Sequence, residues 1–293
     1  ESDYFDNDSS NDHNLISGLS ASWAPPFLSG LTLGINRTML SKWSDINKYS
    51  LFNVFDNDLT SGGADASDQR ISFTADYLLT KVGFEVYVEW ARNDFSPDYD
   101  YIFRYPFHTQ GWTLGLQKTT KFSKNISGKL LLEITSLECS ADYDRLINWY
   151  STFYSHGVIT QGYTNGGQWL GAGIGTGGNS QYLGYTLYFP KGSANIFIQR
   201  RNPDLDYTMY MDTRKYAENF SNVIFSAESN IRAIFNIGVG GSYWVLPSLR
   251  IASGFVFGNE FNPLNESSNS SSVFTSSVHR YNVSFSLSAK YVF

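Results

Sequence analysis

Two sets of side chains in this sequence could do chemistry. Glu85 and Glu89 stand four residues apart in an alternating segment, with Arg92 and Asp94 just beyond, and Arg200 and Arg201 sit side by side at the end of another. Carboxylates and guanidinium groups placed this way can hydrogen-bond sugar hydroxyls, pair with a folded-in loop, or form a structural network among themselves. The second set lies between Tyr154 and Gln181, where His156, Tyr163, Gln168, Trp169 and Asn179 are spread among closely spaced glycines. Tyr163, Trp169 and the earlier Trp149 offer flat faces for a sugar ring, or equally for loop packing. Glycines at this density allow left-handed backbone and close approach by a ligand or a neighbouring loop. A loop folded into the mouth of a barrel needs them for the same reason.

Catalytic patterns are missing. The four histidines, His13, His108, His156 and His279, are scattered without the spacing of a zinc site. No Gly-x-Ser-x-Gly elbow occurs, and the glycine-rich stretch lacks the Gly-Lys-Ser/Thr of a phosphate loop. The Asp/Asn run at 6–12 lacks the glycine and final glutamate of a calcium-binding EF-hand loop. Asp56-Asn57-Asp58 and the pair Asp142 and Asp144 read as solvated loop tips. The expectation is a non-enzymatic protein with no metal and no cofactor.

The elements that must position the candidate residues are strands. From Val283 the residues Val283, Phe285, Leu287, Ala289, Tyr291 and Phe293 share one face, while Asn282, Ser284, Ser286, Ser288 and Lys290 share the other. Side chains alternate faces along a strand, so one side of this segment is apolar and the other polar throughout. The same alternation recurs at Leu31, Leu33 and Ile35, at Phe84, Val86, Val88 and Trp90, and at Trp112, Leu114 and Leu116. It returns at Leu130, Leu132 and Ile134, at Leu183, Tyr185, Leu187 and Phe189, and at Leu249, Ile251, Phe255 and Phe257. Glu85 and Glu89 fall on the polar face of their strand. A one-residue slip would turn every Glu and Lys to the apolar side, so the register is well determined.

Composition supports membrane strands over membrane helices. Of 293 residues 42% are hydrophobic and 17% aromatic, the mean hydropathy is -0.27, and no run approaches the roughly 18–20 apolar residues of a membrane helix. Barrels place aromatic residues in girdles at both membrane interfaces. A soluble carbohydrate-binding β-sandwich shares the composition, but it would not be expected to sort its connections so regularly by length. The single Cys139 excludes an internal disulfide, and a formal charge of -6 argues against nucleic acid as a partner.

Connections alternate between short and long. Short links fall near Pro25-Pro26, Lys81-Val82, Ser123-Lys124-Asn125, Pro190-Lys191-Gly192 and Leu246-Pro247, and long ones at about 44–69, 96–110, 140–180, 203–227 and 259–278. Short periplasmic turns and long external loops alternate in this way in outer-membrane barrels. The expected fold is therefore an all-β, antiparallel transmembrane β-barrel of the outer membrane. About eleven strands can be counted, or twelve if 220–245 holds two short strands in place of one long one. Counting back from Phe293, the first strand, at about 14–24, must run downward from the outside. Bacterial barrels close with an even number of strands and both termini in the periplasm. The odd count leads to the expectation that the chain is the C-terminal part of a longer barrel, its N-terminal strands lying outside residues 1–293.

The sequence resembles the Wzi-like capsule assembly family of outer-membrane proteins. The resemblance rests on Gly162-Tyr163-Thr164 leading to Gln168, on Leu170-Gly171, and on the Gly-Asn-Ser-Gln run before Tyr182-Leu183-Gly184. Pro190-Lys191-Gly192 and Arg200-Arg201 support it, as do the stretches 30–38, 85–94 and 112–118. It implies an eighteen-stranded barrel with a helical segment near the N-terminus, acting as a surface lectin that holds capsular polysaccharide on the cell. The chain departs from the family pattern in lacking the helical segment and in having Asn165 where the family usually has a basic residue.

The functional expectation is a multi-pass protein of a Gram-negative-type outer membrane that binds or anchors surface polysaccharide through its outer loops and lumen mouth. The candidate glycan contacts are Glu85, Glu89, Arg92, His156, Tyr163, Gln168, Trp169, Asn179, Arg200 and Arg201. The expected partners are outer-membrane lipid or lipopolysaccharide, surface polysaccharide, and other outer-membrane or surface proteins. A porin for small solutes and a structural subunit of a larger surface assembly are the alternatives.

Overall fold

A computed structural model of the chain describes residues 13–43, 67–93, 99–104, 106–107, 109–138, 153–155, 159, 162–165, 168–203, 205–206, 231–263 and 278–292. Strands β1 (Asn14–Trp23), β2 (Leu31–Lys42), β3 (Asp68–Leu79) and β4 (Phe84–Asn93) come first, followed by a short helix α1 (Tyr99–Arg104). Next are β5 (Gln110–Lys121) and β6 (Ser127–Ser136), then two two-residue strands, β7 (Thr164–Asn165) and β8 (Gln168–Trp169). The remainder are β9 (Asn179–Phe189), β10 (Gly192–Asn202), β11 (Ala233–Leu246), β12 (Leu249–Phe261) and β13 (His279–Tyr291). Eleven of these form one antiparallel sheet in the order β1-β2-β3-β4-β5-β6-β9-β10-β11-β12-β13, and β7 and β8 form a separate hairpin. No crossover interrupts the meander. Of the stretch 220–245, Ala233 onward forms one strand, and residues 207–230 lie outside those described.

The short links are tight turns. Between β3 and β4, Val82 and Gly83 donate backbone hydrogen bonds to Leu79 and Thr80, and the Lys118 ammonium caps the Val82 carbonyl. No described helix is long and apolar enough to cross a membrane.

The two faces of the sheet differ in kind. One carries Leu33, Ile35, Phe73, Val88, Leu114, Ile196, Ile237, Val239, Phe255 and Phe285, all of them exposed, Phe285 by as much as 70%. The other carries Thr74, Asp76, Glu85, Tyr87, Glu89, Thr113 and Glu133, which surround a cavity. We call the first face outer and the second inner. An ordinary soluble sheet turns its apolar face into a core, and this one turns it out.

The strand ends are staggered against the hydrogen-bond register. Trp23, the last residue of β1, pairs with Leu33, and the row continues through Ala75, Val88, Leu114, Ile134, Gln181, Arg200, Phe235 and Asn259 to Tyr281. A row that starts at the turn end of β1 thus finishes near the loop end of β13, with Tyr281 ten residues short of Tyr291. Ten strand-to-strand steps separate β1 from β13, so the stagger is about one residue per strand.

Candidate functional site

Position along the strands decides which candidate residues meet. On the inner face, Thr74, Glu89, Thr113, Thr135, Ser180 and Arg201 form one row across β3, β4, β5, β6, β9 and β10. The next row holds Asp76, Tyr87, Gly115, Glu133, Tyr182 and Gln199. Residues of these rows, Gly115 and Tyr182 excepted, line a cavity of about 750 Å³ with Glu85 and Gln117. Ala172, Gly173 and Ile174 of the glycine-rich segment also line it.

Four carboxylates, Asp76, Glu85, Glu89 and Glu133, line this space with one guanidinium, that of Arg201. The Tyr87 hydroxyl donates to Glu133 Oε2 at 2.6 Å, and the Thr113 and Thr135 hydroxyls lie 3.0 Å apart. Tyr87 can reach across β5 because residue 115 is glycine: a Cβ there would stand 1.8 Å from the tyrosine ring. Among the described residues no three His, Cys, Asp or Glu side chains are grouped to hold a metal ion.

The glycine-rich segment is fastened to the loop end of the same face. Arg70 on β3 bonds Asp68 at 2.8 Å and Asn93 at 2.6 Å, and its guanidinium stacks on Tyr163 at 3.6 Å from the ring centre. Tyr154 and Phe153 complete the aromatic surround at 4.7 and 5.9 Å. The Tyr163 hydroxyl donates to the Asp68 carbonyl at 2.9 Å, and Leu40, Ile159 and Tyr163 form a buried cluster behind it. A second cluster joins Leu137 to Phe153 and Ile174. Asp68 is fully buried and Arg70 nearly so. An ion pair this deep contributes little net stability, but it specifies one geometry because neither partner tolerates losing the other. Tyr154 has φ of 65°, an uncommon conformation for a bulky residue, and its hydroxyl accepts a hydrogen bond from Ala172 N at 3.0 Å.

The ten candidate residues divide accordingly. Glu85, Glu89 and Arg201 line the cavity together. Tyr163 is buried in the fastening, 3% exposed, so its ring stacks on Arg70 and presents no open face to a sugar. Gln168 is exposed on the small hairpin and Trp169 follows it, the Trp169 side chain lying outside what is described. His156, Trp149 and Asp94 lie outside the described residues. Arg92, Asn179 and Arg200 are on the outer face, near the loop ends of β4, β9 and β10. Arg200 donates to Asn179 at 2.9 Å and to Gln181 at 2.8 Å, and also to Asn202. The adjacent arginines therefore face opposite ways, Arg201 inward and Arg200 outward, as period-two geometry requires.

Sequence reasoning passed over Asp68, Arg70, Asp76 and Glu133 as site residues. A signal existed for Asp76: the short link at Lys81-Val82 folds β3 onto β4 and brings it opposite Tyr87, between Glu85 and Glu89. No protein-family model matches the sequence, and no curated protein matches it.

Proposed function

We propose that the eleven strands are wall of an outer-membrane β-barrel whose inner face and mouth bind surface polysaccharide. The exposed apolar face supports the membrane part of this reading, because a contiguous apolar band of this extent is stable against lipid and not against water. The stagger agrees with it. One residue per strand, at about 3.3 Å rise and about 4.8 Å between strands, corresponds to a tilt of about 35°, within the range of such barrels. Aromatic pairs lie toward both ends of the band, Phe73 stacked with Trp90 near the loops and Phe189 tilted against Tyr243 near the turns. They suit the two interfaces. Strands β1 and β13 are the edges of the sheet, and unpaired edges are costly in lipid. Further strands standing between them would complete the wall, in keeping with the eighteen strands implied by the Wzi-like resemblance.

The observation that carries the binding role is the fastened glycine-rich segment. It covers part of the inner face through Arg70 and Tyr163 and leaves a cavity walled by hydrogen-bonding side chains. Hydroxyl-rich ligands are held by such sets of carboxylate, amide and hydroxyl groups. Four carboxylates against one arginine favour a neutral or amino-bearing glycan over an acidic one. Glycan-array binding by the protein in detergent tests this. Retention of neutral or amino sugars, lost in an E85Q/E89Q variant, is the expected result, and absence of binding to any glycan contradicts it.

A channel is the second reading, favoured by the space that remains beneath the segment. Steady conductance in planar bilayers, raised little by loosening the segment, would support it over a binding role.

A further inference from the structure

Carboxylates on the strands sort by face, whereas strand cations stand on both, Lys42, Arg70, Lys129, Arg201, Arg250 and Arg280 among those facing inward. The strand carboxylates are Asp68, Asp76, Glu85, Glu89, Glu133 and Glu260, and alternation with the paired register turns every one of them inward. The outer face carries the strand cations Arg37, Arg92, Lys118 and Arg200 and no strand carboxylate among the described residues.

Three of the four stand at the loop end of the apolar band. Arg37 and Arg92 flank Ile71 in one register row, two strands apart, or about 10 Å. Arg37 donates to Gln69, and Arg92 pairs in register with Gln110, which accepts from the Trp90 indole at 3.0 Å. Farther round, Arg200 is exposed and its three side-chain acceptors, Asn179, Gln181 and Asn202, are all neutral amides. Below these arginines the outer face is apolar: Ile35, Trp90 and Ile198 are the next outward residues on their strands. Long cationic side chains at such a boundary lay their stems on the apolar surface and extend their charge into the headgroup layer.

We propose that the three arginines of this loop-end rim, Arg37, Arg92 and Arg200, bind the phosphate groups of a phosphorylated glycolipid in the outer leaflet. The inference rests on the membrane reading above. Guanidinium groups bind phosphate oxygens in bidentate fashion. The strand carboxylates lie on the other face, and the Glu138 carboxylate, which accepts from Asn179 beside Arg200, is the acidic neighbour that the arginines must outweigh.

The test is thermal unfolding of the full chain in dodecyl maltoside, titrated with diphosphorylated lipid A, with dephosphorylated lipid A, or with inorganic phosphate. Diphosphorylated lipid A raises the melting temperature by several degrees, and the other two ligands do not. An R37Q/R92Q/R200Q variant needs at least about ten-fold more lipid for half the shift, and K118Q at the turn end behaves as wild type. R92Q and R200Q measured singly cover the case in which the triple variant does not fold, each giving part of the loss. Equal stabilisation by the two lipids, an equal effect of free phosphate, or an unchanged triple variant overturns the proposal. Wild-type protein that stays monodisperse without detergent overturns the membrane reading as well. Protein that needs detergent yet is indifferent to the lipid phosphates overturns this proposal alone.

Discussion

The guanidinium carbon of Arg70 lies 3.6 Å from the centre of the Tyr163 ring, joining strand β3 to the glycine-rich segment. Asp68 takes part twice, its carboxylate pairing with Arg70 and its carbonyl accepting from the Tyr163 hydroxyl. Four groups from two distant stretches of chain thus share one buried site, and the cavity beneath depends on it for one of its walls.

Removing the arginine breaks this site. Arg70→Ala removes the guanidinium that pairs with the buried Asp68 carboxylate, at a local cost of about 3–5 kcal/mol. The segment at 153–178 should then be cut by protease many times faster than in wild type, while the sheet persists. Tyr163→Phe keeps the stacked ring, loses one hydrogen bond worth about 0.5–1.5 kcal/mol, and should show a much smaller rise. Limited proteolysis followed by mass spectrometry separates the two variants.

Gly115 should resist enlargement. Gly115→Val places side-chain atoms where the Tyr87 ring lies and displaces the Tyr87 hydroxyl from Glu133. Overpacking of this kind costs about 1–3 kcal/mol, and the double variant Gly115→Val/Tyr87→Ala should recover part of it. Urea unfolding of the detergent-solubilised protein measures both.

Strand alternation made the placement of Glu85 and Glu89 legible in the sequence, since period two leaves a residue one of two faces. The same rule separated Arg200 from Arg201, although the two had been grouped by adjacency. The stretch at 220–245 was ambiguous because Gly238, Gly240 and Gly241 weaken the strand pattern. At Gly238 the Phe197 ring of the preceding strand, β10, lies 2.3 Å from where a Cβ would be, so a larger residue would not fit. The Arg70–Tyr163 contact was not legible at all, because it depends on how a long connection folds back, and no local periodicity encodes that.

A charge on the outer face should be costly where one on the inner face is not. Val239 sits mid-strand between Ile196 and Phe255, all exposed on the apolar side. Val239→Arg should destabilise the lipid-inserted protein by about 2–4 kcal/mol. Ser286→Lys, on the polar face of β13, should have little effect. Refolding into phospholipid vesicles across a urea series checks the difference.

Neutralising the cavity carboxylates should weaken ligand binding without unfolding the protein. A hydrogen bond from a sugar hydroxyl to a carboxylate is worth about 1.5–3 kcal/mol, so Glu89→Gln should lower glycan affinity by about ten-fold or more. Arg92→Gln, on the opposite face, should leave it unchanged. Isothermal titration with a glycan that the wild type retains makes the comparison.

The most direct test of a lipid-facing barrel wall is spin-label accessibility along β10, a strand paired on both sides, after reconstitution into vesicles. Single-cysteine variants, with Cys139 replaced by serine, would carry nitroxides at Asn195, Ile196, Ile198 and Gln199. A wall facing lipid gives period-two alternation: labels at 196 and 198 are relaxed by dissolved oxygen, and labels at 195 and 199 by a water-soluble nickel complex. Equal access of the nickel complex to all four positions would mean that water bathes both faces, and would contradict the barrel and the functions proposed for it.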